Sequence, residues 1–339
     1  MKAAVLTEIG RPLVITDVPR PQISPDEVLV QTHSCGICRT DVHIQDGLAY
    51  VPSLPHIPGH EPAGVVVEVG SRVTSIWPGQ RVTPHLFFTC GICRFCRSGR
   101  DAQCTHVSGI LGVTTNGGFA EYFKAPASNL LPLPENVPFD IGGLTSCAVI
   151  TAVHAYRRVR IQLGDTVVVL GAGGIGQILI QILRHAGARV IAIGRSAESL
   201  KLAHEAGADL SVRIEDPTVA RQVTEFSGGA GATCVFECVG IASTMQAAAG
   251  WLMSGGQIVV IGEEPDFPAI DTIQIAQREL EIIGSRNGSK QDAADAIDWM
   301  ARGIIKPLIT RSLPLDEINA GLQLVRDGAA HGRVVITVR

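Results

Sequence analysis

The chain has 339 residues, 28 Lys and Arg against 32 Asp and Glu for a formal net charge of −4, and 46% apolar residues. That length supports two domains with buried cores, and the mildly acidic balance, with no basic run, excludes nucleic acid and anionic membrane as partners. MKAAVLTEIGRPL at the N-terminus lacks an apolar signal core and no run is long enough to span a bilayer, so a soluble, cytoplasmic protein is expected.

From residue 1 to about 140 the chain reads as mainly β. Short runs at 27–32, 63–69 and 80–84 lie between Pro and Gly punctuation, with no periodic helix before Ile141. From about 165 the texture changes to alternating elements. Strands are expected at 166–170, 189–193, 209–212, 233–237, 257–262 and 280–284, with helices at 197–206, 217–226 and 244–253. Six such strands make a complete doubly wound parallel sheet. Two more helices, 290–301 and 315–325, precede a last apolar strand at 332–338. That strand needs a sheet to join, so the C-terminal segment is expected to return to the N-terminal domain.

The stretch TVVVLGAGGIGQILIQILRHA, 166–186, organises the middle of the chain. Val167 to Leu170 form the apolar run of a central parallel strand. Ile175, Ile178, Leu179, Ile182, Leu183 and Ala186 then make one helical stripe. Between them Gly171, Gly173 and Gly176 have the dinucleotide-binding spacing: one glycine for the turn, one for close approach of a pyrophosphate, one for helix–strand packing. Gly174 and Ile175 open the helix, whose N-terminus faces the phosphates.

Seven of the nine cysteines lie within the first 147 residues. In a large chain without a signal they point to metal or catalysis, not to disulfides. Cys90, Cys93, Cys96 and Cys104 stand in one loop with gaps that bring four thiolates round one ion, a closed shell and therefore a structural zinc. Arg94, Arg97 and Arg100 are placed to offset its net negative charge. A second set is dispersed: Cys38, His60 and Cys147 supply two thiolates and an imidazole and leave a fourth position open, the pattern of a catalytic zinc. Asp41 is placed to hold the ring N–H of His60. Cys35, Cys234 and Cys238 read as small buried apolar residues.

The segments GICRTDVH (36–43), GHEPAGVVVEVG (59–70), the four-cysteine loop, GGFAEY (117–122), Cys147 with Thr151, GAGGIG (171–176) and GRVVITV (332–338) occur in this order. So arranged, the chain resembles the zinc-dependent alcohol dehydrogenases of the medium-chain dehydrogenase/reductase family over its whole length. The resemblance implies a GroES-like catalytic domain of residues 1–147 and 286–339, with an inserted Rossmann domain, 148–285. It makes Cys38, His60 and Cys147 the catalytic ligands and Glu61 the glutamate beside the metal. Thr40 matches the hydroxyl that takes the alcohol proton, and His43 the base at the end of the relay. Arg39 and, less directly, Arg333 match pyrophosphate contacts, and Thr151 a residue lining the nicotinamide. Tyr50 and Leu86 fall where pocket residues lie in relatives. A homotetramer with two zinc ions per chain is implied.

One position departs from the NAD pattern. Where the second Rossmann strand ends, an acid would accept bonds from the ribose 2′-OH; here Gly194 stands, followed by Arg195 and Ser196, which suit a 2′-phosphate. NADP(H) is therefore expected over NAD(H), acting on a small or medium alcohol or its carbonyl. Three rivals remain at this point: a polyol dehydrogenase, a zinc-free reductase of the same superfamily, and a non-catalytic nucleotide-binding zinc protein.

Overall fold

The structure, a computed structural model, describes residues 1–48 and 52–338. Two compact units divide the chain. One comprises Met1–Ile150, Gly288–Gly303 and Ile309–Arg339, the other Thr151–Asn287 with Ile304–Leu308.

The first unit starts with an antiparallel pair, β1 (Lys2–Val5) and β2 (Val14–Asp17). Its sheet is built on β3 (Glu27–Ile37), an eleven-residue strand that outruns the apolar stretch visible at 27–32. After β3 comes a helix that the hydrophobic pattern does not announce, α1 (Arg39–Asp46). Its buried residues are Asp41, Val42, His43, Ile44 and Gln45, three of them polar, so no apolar stripe marks it. Asp41 ties its start by accepting from the Cys38 N–H at 2.9 Å, and Gly47 ends it in the left-handed region at φ 70°. β4 (Glu61–Val69), β5 (Arg81–Pro84), β6 (Tyr122–Pro126) and β7 (Leu130–Pro132) follow. β4 and β6 both pair antiparallel with β3, β5 with β4, and β7 with β5. Val28, Val30, Val66, Val82, Phe123 and Leu130 close one core between these strands.

The second unit alternates β8 (Thr166–Leu170), α2 (Gly174–His185), β9 (Arg189–Gly194), α3 (Ala197–Glu205), β10 (Leu210–Arg213), α4 (Val219–Phe226), β11 (Ala232–Glu237), α5 (Ala242–Trp251), β12 (Leu252–Val260) and β13 (Glu281–Gly284). All six strands are parallel, in the order β10-β9-β8-β11-β12-β13. Numbered within the unit this is 3-2-1-4-5-6, the dinucleotide-binding order, with its switch point between β8 and β11. β8 is buried at every residue, as its unbroken apolar run requires. β12 begins five residues before the expected 257, because Gly255 and Gly256 dilute the strand signal beside a register shift between Ala232 and Cys234.

The chain then gives α6 (Lys290–Ala301), β14 (Ile309–Pro314), α7 (Ile318–Arg326) and β15 (Arg333–Thr337). β15 pairs antiparallel with β3, from Val334↔Ile37 to Thr337↔Ser34, and parallel with β14. A second core joins both ends of the sequence, with Ala3, Leu6, Ile44, Phe119, Ile318, Leu322 and Val334 buried together. No helix among the described residues is long and apolar enough to cross a membrane.

Candidate active site and metal centres

The four-cysteine loop brings its sulfurs into one cluster. Sγ–Sγ separations are 3.5 Å for Cys93–Cys96, 3.6 Å for Cys90–Cys104, and 4.0 Å for both Cys90–Cys96 and Cys93–Cys104. Four thiolates at ordinary Zn–S distances stand about 3.8 Å apart along a tetrahedral edge, so the cluster fits a closed zinc shell. Backbone N–H groups of Cys90 and His106 donate to Cys104 Sγ, and that of Cys93 to Cys90 Sγ, each at 3.4 Å. The backbone N–H of Cys96 leads in pulling the Cys93 thiol down to about 5, while burial pushes Cys96 up to about 12. Four thiols so close cannot all ionise without a cation among them. The Arg94 and Arg100 guanidiniums lie over the Phe95 ring, at 4.6 and 5.1 Å from its centroid.

The dispersed set meets at one end of the first unit's sheet. Cys38 follows the end of β3, His60 precedes β4, Glu61 opens β4, and Cys147 precedes the helix Ala148–Arg157. One ligand atom from each of Cys38, His60, Glu61 and Cys147 lies within 4.8 Å of the others. Cys38 and Cys147 Sγ are 3.9 Å apart, again a zinc tetrahedral edge. His60 is turned by Asp41, whose Oδ1 faces its Nδ1 at 3.2 Å and also accepts from the Gly59 N–H. Nε2 of His60 is buried with no hydrogen-bond partner among the described residues. A buried imidazole nitrogen left bare beside two thiols fits a metal ligand. Burial works against charging His60, yet the Asp41 carboxylate raises its pKa well above the ordinary value. The hydrogen bond between the sulfurs pulls Cys38 well below the usual thiol range and pushes Cys147 well above it. Cys35 shares a CGIC spacing with Cys38 but, as its reading as a small buried residue expects, it is fully buried and lies outside this group.

Glu61 is fully buried, its pKa raised by burial against the pull of Arg333. Its Oε2 accepts from Arg333 Nη2, and its Oε1 has no partner among the described residues. Gly36 pairs with Glu61 across β3–β4, and a Cβ on Gly36 would come within 2.1 Å of Glu61 Oε2, so only glycine leaves room for this carboxylate. The ion pair is invisible in sequence, because 272 residues separate its members. Arg333, at the start of the last strand, is only 7% exposed, drawn inward to the buried Glu61 side chain.

Thr40 and His43 stand three residues apart on α1 and so share a face. Thr40 Oγ1 lies 3.8 Å from Cys38 Sγ, and His43 is buried. Arg39 is exposed and its Nη1 donates to the Arg326 carbonyl at 3.0 Å, at the end of α7. Leu86 is buried, and Tyr50 lies outside the described residues. His33 stacks on Phe139, and His56 Nε2 faces the Gly112 carbonyl.

In the second unit the glycine turn joins β8 to α2 at the switch point. A Cβ on Gly176 would lie 2.1 Å from the Gly171 carbonyl oxygen, so helix and strand approach only because it is absent, while Gly173 faces open space. Gly174 and Ile175 begin α2, and Thr151 is buried in the helix Ala148–Arg157. At the end of β9, Gly194 is buried, Arg195 is exposed, and Ser196 Oγ caps α3 by accepting from the Ser199 N–H at 3.3 Å. Cys234 is buried, but Cys238 is half-buried at the loop after β11, where the sequence suggests a fully apolar setting.

Two family models cover most of this architecture. The alcohol dehydrogenase GroES-like domain matches residues 24–135, and the zinc-binding dehydrogenase domain residues 174–302. An alcohol dehydrogenase of Geobacillus stearothermophilus is 35% identical over the whole of both chains. A D-arabitol-phosphate dehydrogenase of Enterococcus avium is 33% identical, covering 93% of this chain and 91% of its own. A crystal structure of an NAD-dependent alcohol dehydrogenase superposes at a TM-score of 0.94 with 30% identity, over all of both chains. The chain belongs to the zinc-dependent alcohol dehydrogenases of the medium-chain dehydrogenase/reductase family. It is a zinc-type alcohol oxidoreductase that uses a nicotinamide cofactor.

Proposed function

We propose that Cys38, His60 and Cys147 hold a catalytic zinc and Cys90, Cys93, Cys96 and Cys104 a structural one, two ions per chain, and that the enzyme works with NADP(H) in preference to NAD(H). The observation that carries the catalytic reading is the bare, buried Nε2 of His60 beside the Cys38 and Cys147 sulfurs. Zinc in such a set supplies a Lewis acid that acidifies an alcohol and polarises a carbonyl. Thr40 accepts the substrate's hydroxyl proton and His43, on the same face of α1, passes it on toward solvent. Asp41 orients His60, and Arg333 holds the Glu61 side chain in place beside the ligands. Gly171, Gly173, Gly174, Ile175 and Gly176 cradle the pyrophosphate, with Arg39 and Thr151 as further cofactor contacts. We read Arg333 as the anchor of Glu61 first, since its guanidinium is already engaged.

The cofactor preference rests on Gly194, Arg195 and Ser196. No carboxylate stands at the end of β9 to repel a 2′-phosphate, and an exposed guanidinium and the start of α3 face that position with favourable charge. Residues 1–147 with 286–339 are taken as the catalytic domain and 148–285 as the cofactor domain, in a cytoplasmic homotetramer, both supported by the family resemblance. A polyol is the second substrate reading, raised by the arabitol-phosphate relative. Cys147 weighs against it, because polyol dehydrogenases usually carry a glutamate there. A panel of alcohols, polyols and carbonyls assayed with both cofactors, with metal analysis of the same sample, tests these readings. A clear NADH preference overturns the cofactor assignment, and fewer than two zinc ions per chain overturns the metal assignment.

A further inference from the structure

One buried carboxylate in the second unit is used by none of this chemistry. Glu237 closes β11 and is fully buried. Its partners are all neutral: the Val239 N–H at 3.0 Å, the Gly240 N–H at 3.0 and 2.9 Å to its two oxygens, and the Thr244 hydroxyl at 2.9 Å. The side chain thus folds back over the loop that follows its own strand, residues 238–241, and fills the cup made by successive amides. Gly240 holds that cup open at φ +87°.

The loop is wedged between two others. A Cβ on Gly171 would lie 3.0 Å from Val239 Cγ2 and 3.2 Å from Cys238 Cβ, and a Cβ on Gly262 would lie 2.2 Å from the Gly240 nitrogen. The Cys238 N–H donates to the Leu170 carbonyl at 2.9 Å, tying the loop to the end of β8. β11 is the first strand beyond the switch point. The half before it, β8 to β10, takes the adenosine whose 2′ position is read after β9, so the loop after β11 borders the half that takes the nicotinamide.

We propose that Glu237 is a positioning residue for the nicotinamide half of the cofactor, acting through the loop it anchors. The proposal rests on the dinucleotide reading above. It is tested by comparing NADPH and NADH, followed by nicotinamide fluorescence, with 2′-phospho-ADP-ribose and ADP-ribose, which carry the adenosine half and pyrophosphate without nicotinamide. Glu237→Gln turns an amide N–H₂ toward amide donors; it is expected to weaken the dinucleotides about tenfold or more while the fragments stay within about twofold. Thr244→Val removes only the hydroxyl donor and is expected to act in the same sense by about threefold. In both, cofactor KM rises more than kcat falls. Equal loss of dinucleotide and fragment, or loss of neither, overturns the proposal. Should Glu237→Gln not fold, Thr244→Val decides by the same criterion. Wild-type protein that binds no dinucleotide instead overturns the cofactor reading itself, before any variant is compared.

Discussion

A Cβ built on Gly194 meets Leu200 and Ala172 at 3.4 and 3.5 Å, ordinary contact distances, so the backbone at the end of β9 has room for a Cβ. Gly194→Asp is expected to lower the NADPH-over-NADH ratio of kcat/KM by about 10²-fold, through repulsion of the 2′-phosphate. Thr40→Val is expected to cut kcat by about 10²-fold or more with zinc content unchanged, since it removes a proton acceptor and no ligand. His85 offers a separate titration. It is fully buried, with Nδ1 at 3.2 Å from the Phe87 carbonyl oxygen and Nε2 at 2.9 Å from that of Gly288. Burial lowers its pKa from 6.5. The unfolded chain therefore binds the proton more readily, and the stability this ring contributes is complete above pH 6.5 and lost as pH falls below it toward the folded value. Denaturant titrations should give wild type a steeper loss than His85→Gln in that acid range.

At the scale of elements, α1 carries Thr40, Asp41 and His43, the residues of the proposed relay and its His60 contact, within eight residues. Asp41 is both the carboxylate that caps its first turn and the group that turns His60. Asp41→Ala is expected to weaken metal at the dispersed site about 10–100-fold, measured by chelator competition, while leaving the four-cysteine loop loaded. The same residues explain what was legible in sequence. The four-cysteine loop is local and its spacing is its geometry, and the β8–α2 turn carries strand, glycines and stripe in one run. α1 was hidden because the face it buries is made of Asp41, His43 and Gln45 as well as Val42 and Ile44. Glu237 and the Glu61–Arg333 pair left no signal, since a carboxylate's burial depends on partners that folding supplies.

For the whole molecule, the two donor clusters are expected to bind two zinc ions per chain, and Cys147→Ser to leave one in a chain that still folds. Light scattering of the purified protein is expected to report four copies, and a monomer would overturn the homotetramer. The order of synthesis gives the Glu61–Arg333 pair another meaning. Cys38, His60, Glu61 and Cys147 all emerge long before Arg333, which reaches Glu61 only when β15 docks on β3. Until then the nascent chain carries Glu61 without its arginine partner beside the proposed zinc ligands. A polypeptide terminated or clipped before Arg333, however far that lies from Glu61 in sequence, loses the partner of the buried carboxyl next to the proposed ligands.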